Sequence, residues 1–307
     1  MGLYWVEIQN QRALEKITVS KPVLVENLFS FPVKLIFTDL DGSLLDHHSY
    51  SFKPAVEMLE KLESIGIPVI PITSKTMAEL VPLRKLLNNH HPFIVENGAA
   101  IYIPQDYFHQ QPANSKSVGS FWVIENAASR KTWLQLLRSN TDEFADEYLT
   151  FDSIYQQDGV EGIAELTGLN SKMAELANRR NFSEPVHWTG TAVRKKLFVK
   201  KMQSLGATVL QGGRFLNIGG DTDKGRALRQ LESLYLQQAQ QSNCETLAIG
   251  DSGNDISMLE QASSALIIKS NNHSPPKLNR RENTTVSQKI GPKGWADGVT
   301  DWLQIHG

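Results

Sequence analysis

Short apolar runs alternate with amphipathic segments from residue 33 onward, and this alternation restricts the fold more than any other feature. Three runs have the mostly apolar composition of strands buried inside a parallel sheet: VKLIFT (33–38), IPVIPIT (67–73) and PFIVENG (92–98). Residues 53–66 and 77–90, which separate these runs, carry apolar side chains at helical spacing. Strand and helix in alternation predict a doubly wound α/β domain with a parallel sheet.

The alternation is interrupted in the middle of the chain. Two apolar runs, AAIYIP and FWVIENA, predict a hairpin, and several amphipathic helices and short strands follow them. The α/β pattern then returns, for example in ETLAIGD. We therefore expect a Rossmann-like core formed by residues 1–126 and 219–307, with an inserted α/β cap formed by residues 127–218.

Composition and charge argue against several functional classes. The 307 residues carry a net charge of −2, without the basic excess that favours nucleic acid or an anionic membrane. No stretch reaches the roughly 18 uninterrupted apolar residues of a membrane span, and the N-terminal residues lack the pattern of a signal peptide. The single cysteine, Cys244, cannot form an internal disulfide, which fits a reducing compartment. We expect a cytoplasmic protein with a small-molecule partner; residues 1–32 and the oligomeric state carry no prediction.

The run LIFTDLDGSLLD (35–46) places two carboxylates at the end of the first predicted strand. Residues i and i+2 of an extended chain point the same way, so Asp39 and Asp41 crowd one place, where their charges repel and raise one pKa. A divalent cation such as Mg²⁺ relieves this repulsion, or one carboxyl stays protonated and serves as an acid. A site with a nucleophile, an acid and a metal suits phosphoryl transfer through an aspartyl-phosphate.

Polar residues also end two later strands. Thr73 and Ser74 follow one strand, and Asp251 follows TLAIG. Ligands bind at the carboxyl ends of strands in open parallel sheets, so we expect these residues to meet Asp39, although each alone could be a turn or cap residue. Lys224 lies at the predicted helix start DTDKGRAL. A positive charge there interacts unfavourably with the helix dipole, at a cost of roughly 0.3–1 kcal/mol. Either Lys224 is a solvated lysine, for which this cost is tolerable, or it is placed at the helix start to contact a phosphate.

Four motifs, in this order, resemble those of a known family. DLDGS (39–43), ITSKT (72–76), DKG (223–225) and GDSGND (250–255) are similar to the motifs of the haloacid dehalogenase (HAD) superfamily of phosphohydrolases. The resemblance extends from about residue 33 to the end of the chain. It implies an aspartyl-phosphate mechanism with Mg²⁺ as the cofactor. A cap between the second and third motifs implies the α/β C2 type.

The resemblance implies roles for the residues of the first two motifs. Asp39 matches the nucleophile, and Asp41 matches the general acid that later activates water. Gly42 permits the tight turn between them and the following chain. Thr73 matches the hydroxyl that binds the phosphoryl group, with Ser74 beside it. Position 43 is usually Thr in this family, and Ser43 retains the hydroxyl.

The resemblance also implies a metal site and its surroundings. Lys224 matches the lysine that offsets the charge of the aspartyl-phosphate. Asn254 and Asp255 would orient the water shell of the metal and Lys224. The implied Mg²⁺ ligands are Asp39, Asp41 through its backbone carbonyl, and Asp251.

Further motifs resemble one subfamily, the mannosyl-3-phosphoglycerate phosphatases, which form a compatible solute. They are RNFSEP (180–185), ITSKT, VENGAAIYIP, ELTGL and GPKGW. The sequence Thr-Ser-Lys at residues 73–75 replaces the TGR of most HAD phosphatases with C2 caps. The resemblance implies that the substrate is a phosphorylated glycoside of glycerate.

The same resemblance suggests cap residues that contact this substrate. Arg180 or Arg214 would hold the glycerate carboxylate, and Ser183 and Glu184 would bind sugar hydroxyls. Arg180 has no partner at helical i, i+4 spacing. Arg214 could equally belong to a hairpin turn.

We therefore expect a Mg²⁺-dependent phosphatase that acts on mannosyl-3-phosphoglycerate, with glucosyl-3-phosphoglycerate or another sugar phosphate as alternative substrates. A phosphomutase is a second hypothesis, and it would need a bisphosphate activator. A catalytically inactive binding protein on the same fold is a third hypothesis. It predicts the loss of Asp39, Asp41 or Asp251, all of which are present.

Overall fold

A computed structural model of the protein describes residues 32–212 and 214–306. The expectations stated for the N-terminal residues up to 31 lie outside the described residues. The strands and helices, in chain order, are β1 (Val33–Thr38), α1 (Val56–Ser64), β2 (Val69–Pro71), α2 (Met77–Leu86), β3 (Phe93–Val95), β4 (Ala100–Pro104), β5 (Lys116–Val118), β6 (Phe121–Glu125), α3 (Arg130–Asn140), β7 (Tyr148–Thr150), α4 (Phe151–Thr167), α5 (Ser171–Asn178), β8 (Glu184–Trp188), α6 (Ala192–Ser204), β9 (Thr208–Gly212), β10 (Phe215–Gly219), α7 (Lys224–Ala239), β11 (Cys244–Gly250), α8 (Ile256–Gln261), β12 (Ser264–Lys269), β13 (Thr284–Ile290) and α9 (Gly291–His306).

The main sheet is parallel and has the strand order β13-β12-β11-β1-β2, which confirms the predicted α/β fold. Alternate residues of β1 face opposite apolar clusters. Leu35 and Phe37 pack into one cluster together with Ile70, and Ile36 packs into the other together with Val69. Both faces of the sheet are therefore covered, which explains why β1 is apolar without alternation.

The register of β1 and β11 determines where the functional residues meet. The two strands pair from Val33–Cys244 to Thr38–Ile249 and therefore end side by side. The backbone N–H of Asp39 donates to the carbonyl of Ile249 at 2.8 Å. The segments that follow these two strands thus begin next to each other at the carboxyl edge of the sheet, where ligands bind in folds of this type.

β3 differs from the prediction, because it forms its ladder outside the main sheet. Its Ile94 forms an isolated bridge with Ile72, the residue after β2, and β3 pairs antiparallel with β4 in a sheet of order β3-β4-β6-β5. The reason is local: Glu96 and Asn97 have left-handed backbone angles, with φ of +47° and +59°, and turn the chain back. The predicted hairpin of AAIYIP with FWVIENA is confirmed as the pair β4 and β6.

Helix α2 ends earlier than predicted. α2 begins with a capping box, in which Thr76 and Glu79 exchange side-chain and backbone hydrogen bonds, and it ends at Leu86. The chain cannot continue as a helix there because Asn88 is left-handed, with φ of +50°. α5 ends before Arg180, which therefore lies in a connecting segment rather than on a helix face.

The segment from α3 to β10 builds a sheet of its own. It is antiparallel, has the order β7-β8-β10-β9, and packs against α3, α4 and α6. Its interior consists of separate apolar clusters. One contains Trp133, Leu137, Phe198, Met202 and Leu216, and another contains Phe151, Ile154, Ile163 and Ala174.

The last strand and helix support the carboxyl edge of the main sheet. Residues 270–283 form a loop between β12 and β13, and the sequence analysis did not predict β13 or α9 after that loop. Trp295 of α9 is fully buried, and its indole N–H donates to Thr38 Oγ1 at 3.0 Å. The Thr38 hydroxyl donates in turn to the carbonyl of Asp39 at 2.7 Å. Within the described part of the chain, no helix has the length and apolar character needed to cross a membrane.

Candidate active site

A buried cluster of charges lies at the carboxyl edge of the main sheet. Lys224, the first residue of α7, is fully buried, and its Nζ lies 2.6 Å from Asp39 Oδ1 and 2.7 Å from Asp255 Oδ1. Asp223 caps α7 by accepting the backbone N–H of Arg226, which fixes the turn that delivers Lys224. The structure thus brings together three of the residues that the sequence singled out.

Burial dominates the ionisation of this cluster. It raises the pKa of Asp39 well above the usual value; Lys224 opposes the rise, and the charges of Asp255 and Asp41 add to it. Burial by itself lowers the pKa of Lys224, but the carboxylates of Asp255 and Asp39 raise it above its usual value, so the lysine stays charged. One ammonium group faces more carboxylate charge than it can neutralise, so a further cation would be stabilised here.

Asp39, Asp251 and Asp255 form a group that fits a metal ion. Each is buried and offers a carboxylate oxygen, and these atoms lie within 4.8 Å of one another. Burial and the charge of Asp255 raise the pKa of Asp251, as expected for a carboxylate that lacks sufficient counter-charge. Hard oxygen donors of this kind suit Mg²⁺. Two of the predicted ligands, Asp39 and Asp251, are in this group together with Asp255. The carboxylate of Asp41 pairs with Lys75 instead, and the contact of the Asp41 backbone carbonyl with a metal stays a prediction.

The backbone around these carboxylates leaves little freedom. Asp255 Oδ2 accepts the backbone N–H groups of Asp251 and Ser252 at 3.0 Å each, and so fixes the loop after β11. Gly42 has a φ of +82°, and a Cβ at this position would lie 2.7 Å from Asp251 Oδ2. Both the left-handed backbone and the close approach require glycine there, which gives the predicted tight turn a second physical reason.

Thr73 and Ser74 lie in the turn between β2 and α2. Thr73 is fully buried; its backbone N–H donates to the carbonyl of Ile94 at 3.1 Å, and its Oγ1 accepts the backbone N–H of Lys75 at 3.2 Å. Ser74 is exposed. The neighbouring Ile72 N–H donates to the carbonyl of Thr38 at 2.8 Å. The turn is therefore attached to the end of β1, beside the residue that follows it.

Lys75 makes a contact that the sequence analysis missed. Its Nζ lies 2.8 Å from Asp41 Oδ2 and 4.0 Å from Glu79 Oε1, and 13% of its side chain is exposed. Asp41 Oδ1 is buried and has no hydrogen-bond partner among the residues that the structure describes. The sequence feature that could have indicated this pair is the lysine of ITSKT, a cation two residues after Thr73 in the turn that faces Asp41.

Glu96 is a second residue that the sequence analysis missed. Its buried carboxylate accepts the backbone N–H of Asn181 at 2.8 Å and that of Phe182 at 3.2 Å, and it also accepts the Ser183 hydroxyl. Its own backbone N–H donates to the carbonyl of Lys75 at 3.0 Å. Glu96 thus links the turn after β2 to the segment that precedes β8. The sequence signals for it were an acidic residue beside Asn-Gly at a strand end and its place in the motif VENGAAIYIP.

Arg180 has partners outside the helical i, i+4 spacing. Its Nη2 donates to the carbonyl of Ser74 at 3.0 Å, its Nε donates to Ser183 Oγ at 3.0 Å, and the same Nε lies 3.5 Å from Glu96 Oε2. The absence of an i, i+4 partner said nothing about partners distant in sequence. Arg180 and Ser183 therefore lie next to the turn of Thr73 and Ser74, and their contact with a substrate stays a prediction.

Glu184 and Arg214 lie outside this cluster. The side chain of Glu184 is fully buried, pairs with Arg130 and accepts the backbone N–H of Asp152 at 2.9 Å. It joins the starts of α3 and α4 and is closed to a sugar hydroxyl, which corrects its predicted role. Arg214 is exposed in the turn between β9 and β10 and donates to the carbonyl of Thr167 at 2.6 Å. Of the two alternatives for Arg214, the structure favours the turn residue.

Two side chains lie at the rim of the carboxylate group. Asn254 Nδ2 donates to Asn97 Oδ1 at 3.2 Å, which connects the GDSGND loop to the turn after β3. His273 Nε2 lies 3.2 Å from Asp251 Oδ2. Sequence analysis singled out Asn254 but not His273, because a histidine in a polar loop produces no periodic signal.

The sequence matches known proteins over most of its length. Residues 36–178 and 190–276 match the family of haloacid dehalogenase-like hydrolases. A curated glucosyl-3-phosphoglycerate/mannosyl-3-phosphoglycerate phosphatase from Methanococcoides burtonii is 34% identical over 270 residues, which cover 88% of this chain and 97% of that protein.

Solved structures share the fold at low sequence identity. A Thermoplasma acidophilum protein superposes with a TM-score of 0.59 at 16% identity and covers 89% of this chain and 99% of its own. The sucrose-phosphatase of Synechocystis sp. PCC6803, solved with sucrose and phosphate, has a TM-score of 0.52 at 16% identity over 89% of this chain and 99% of its own. The chain therefore belongs to the haloacid dehalogenase-like hydrolases, and within them to the mannosyl-3-phosphoglycerate phosphatase family of phosphoric monoester hydrolases.

Proposed function

We propose that the protein is a Mg²⁺-dependent phosphatase that hydrolyses mannosyl-3-phosphoglycerate to mannosylglycerate and phosphate through an aspartyl-phosphate. The pairing of Asp39 with Lys224 at 2.6 Å, beside Asp251 and Asp255, is the observation that carries this proposal. A carboxylate at a strand end with a buried cation beside it suits a nucleophile that attacks a phosphate ester. The name of the curated relative supports the substrate class, with the glucosyl compound as the alternative.

Two carboxylates divide the chemistry. A carboxylate oxygen of Asp39 forms a bond to phosphorus while the bond from phosphorus to the leaving oxygen breaks. Asp41 gives its proton to that oxygen, which departs as an alcohol. Asp41 then takes a proton from water, whose oxygen attacks phosphorus and releases inorganic phosphate and the Asp39 carboxylate.

The remaining residues hold the phosphoryl group and its charge. Thr73 and Ser74 provide hydroxyls, and Lys224 provides a fixed positive charge. The carboxylates of Asp39, Asp251 and Asp255 would hold Mg²⁺, which when bound neutralises charge on the phosphate oxygens. Asn254 is kept beside this group by its hydrogen bond to Asn97 at 3.2 Å.

We assign residues 127–218 to the C2-type cap and the described residues on either side, 32–126 and 219–306, to the core. The separate antiparallel sheet and separate apolar clusters of this segment support the assignment. The turn after β3 and the strands β9 and β10 enclose a space lined by Asn97, Ser183, Thr208 and Asn217, which is about the size of one water molecule. Arg180 is our candidate for the glycerate carboxylate, and the single cysteine supports a cytoplasmic location.

A phosphate-release screen over phosphorylated glycerates and sugars, in the presence of Mg²⁺, tests the proposal. We expect kcat/KM for mannosyl-3-phosphoglycerate to exceed that for glucose 6-phosphate by roughly 10²-fold or more, because unpaired polar groups reject the wrong ester. Asp39→Asn should retain less than about a hundredth of the rate. A preference for the glucosyl compound selects that alternative, and dependence on a bisphosphate activator indicates a phosphomutase. Absence of phosphate release from every ester overturns the proposal.

A further inference from the structure

Lys75 is held in one place by three neighbours. Its ammonium lies 2.8 Å from Asp41 Oδ2, 4.0 Å from Glu79 Oε1 and 5.3 Å from the centre of the Tyr50 ring. Glu79 is itself fixed, because it takes part in the capping box of α2 with Thr76. Burial lowers the pKa of Lys75, but Asp41 and Glu79 outweigh this and raise it above the usual value, so the lysine keeps its charge. The cation therefore occupies a defined position against one oxygen of Asp41.

The contact with Lys75 distinguishes the two oxygens of Asp41. An ammonium group has donors and no acceptor, so Oδ2 must accept from Lys75 whenever the pair is formed. Oδ1 is then the oxygen of Asp41 that remains free for another partner. Oδ1 is buried, and no group in residues 32–212 or 214–306 forms a hydrogen bond to it. An unpaired buried polar atom is unfavourable, and a substrate oxygen would supply the missing partner.

The two lysines of the site serve different carboxylates. Lys224 contacts Asp39 and Asp255 at 2.6 and 2.7 Å. Lys75 contacts Asp41 at 2.8 Å. The cation beside the nucleophile is thus separate from the cation beside the acid, and a substitution at Lys75 leaves the contacts of Lys224 in place.

We propose that Lys75 is a positioning residue that holds Asp41 through Oδ2 and so leaves Oδ1 as the oxygen that serves the leaving group. The inference rests on the proposed function, because it requires Asp41 to act as the acid. In the step concerned, Asp39 forms the bond to phosphorus, the electron pair of the breaking P–O bond stays on the leaving oxygen, and that oxygen takes the proton from Asp41 Oδ1. Lys75 gives up no proton and forms no covalent bond.

The test compares esters whose leaving groups need the acid to different extents. The first is the alkyl phosphate that the screen finds to be hydrolysed best, since an alkoxide leaves poorly without a proton. The second is p-nitrophenyl phosphate, whose phenolate leaves unprotonated. The quantity measured is kcat/KM, which reports the steps up to formation of the aspartyl-phosphate. Lys75→Met should lower it about tenfold or more for the alkyl ester, which is part of the roughly 10²–10⁴ that a general acid contributes, and less than about threefold for the aryl ester.

Two further comparisons separate positioning from a structural role. Lys75→Met added to Asp41→Asn should cause no further loss, because residues that act as a unit are not additive. Lys75→Arg should recover part of the alkyl activity, since arginine is also a donor without an acceptor. Lys116→Met is the matched control, because Lys116 forms an exposed pair with Glu125 at the same distance of 2.8 Å, and it should change neither ester.

Each contrary result has its own meaning. Equal losses of both esters in Lys75→Met overturn the inference and make Lys75 a structural or phosphate-binding residue. A further loss in the double variant also overturns it, because Lys75 then acts independently of Asp41. A wild-type protein that hydrolyses no ester refutes the proposed function itself, and this outcome is distinguishable because it precedes any comparison of variants.

Discussion

At the scale of single residues, Lys224 is a fully buried cation held between Asp39 and Asp255. Taking an ion out of water is costly, and close opposite charges offset that cost only while every partner is present. The stability of this region and the reactivity of Asp39 therefore depend on the same ammonium group. A substitution here affects both properties at once.

Lys224→Met keeps the length of the side chain and removes its charge, so Asp39 and Asp255 face each other without a cation. We expect loss of phosphatase activity and a fall of about 3–5 kcal/mol in the free energy of unfolding, measured by urea denaturation near neutral pH. Lys293→Met, which breaks the exposed pair with Asp297 at 3.0 Å, is the control and should cost about 1 kcal/mol or less. A Lys224→Met protein with wild-type stability would contradict the assignment.

Cys244 allows a prediction about pH. Burial, with the charges of Glu232 and Glu245, raises the pKa of its thiol to about 12. Because the thiolate is the nucleophile, Ellman's reagent should react with the folded protein far more slowly than with the urea-unfolded protein at about pH 8. Between the pKa of the unfolded thiol, roughly 8.5, and that of the folded thiol, the folded state binds more protons than the unfolded state. The contribution of Cys244 to the free energy of unfolding therefore falls as the pH rises from roughly 8.5 towards 12. Equal rates for folded and unfolded protein would refute the shift.

At the scale of elements, the turn after β3 connects segments that are far apart in the sequence. Glu96 binds the backbone of Asn181 and Phe182, and Asn97 accepts a hydrogen bond from Asn254 at 3.2 Å. Glu96 and Asn97 both have left-handed backbone angles, which cost energy in residues other than glycine and persist where the surroundings enforce them. The turn therefore couples the segment before β8 to both loops of the candidate site.

Glu96→Gln keeps the shape of the side chain but turns one acceptor into a donor that faces backbone N–H groups. We expect the free energy of unfolding to fall by about 1–3 kcal/mol, because buried donors lose their partner. Hydrogen exchange should accelerate in a peptide that contains Asn181 and Phe182 and stay unchanged in β1. Glu125→Gln, which alters the exposed pair with Lys116, is the control. Unchanged exchange at Asn181 and Phe182 would show that Glu96 does not hold this segment.

At the scale of the whole molecule, a ligand that binds only the folded state raises the melting temperature. If Asp39, Asp251 and Asp255 hold Mg²⁺, protein freed of metal with EDTA should melt at higher temperature as MgCl₂ is added. At a concentration of about 100 times Kd the stabilisation is about 2.7 kcal/mol. The rise should be much smaller in Asp251→Asn and absent with NaCl of equal ionic strength. A rise of the same size in Asp251→Asn would remove Asp251 from the metal site.

The sequence was most informative where geometry follows from topology. The carboxyl ends of parallel strands lie at the same edge of a sheet. The approach of Asp39 to the loop of Asp251 could therefore be predicted from the apolar runs and the residues that follow them. The Lys75–Asp41 pair and the contacts of Glu96 depend on turns, whose backbone angles leave no periodic pattern. Glu184 was misassigned because a resemblance between motifs indicates which residue is present but not how deeply it is buried.

The order of strands in the main sheet has a consequence for synthesis. β1 emerges early from the ribosome, but its partner β11 follows only after the whole antiparallel segment from α3 to β10 has been made. Until then the nascent chain exposes an apolar strand with an unpaired edge, the kind of surface that promotes aggregation. Pairing between such distant segments is slow, because a long loop must close first. Newly made protein should therefore depend on chaperones that bind extended apolar chain, and fragments that stop before β11 should be insoluble.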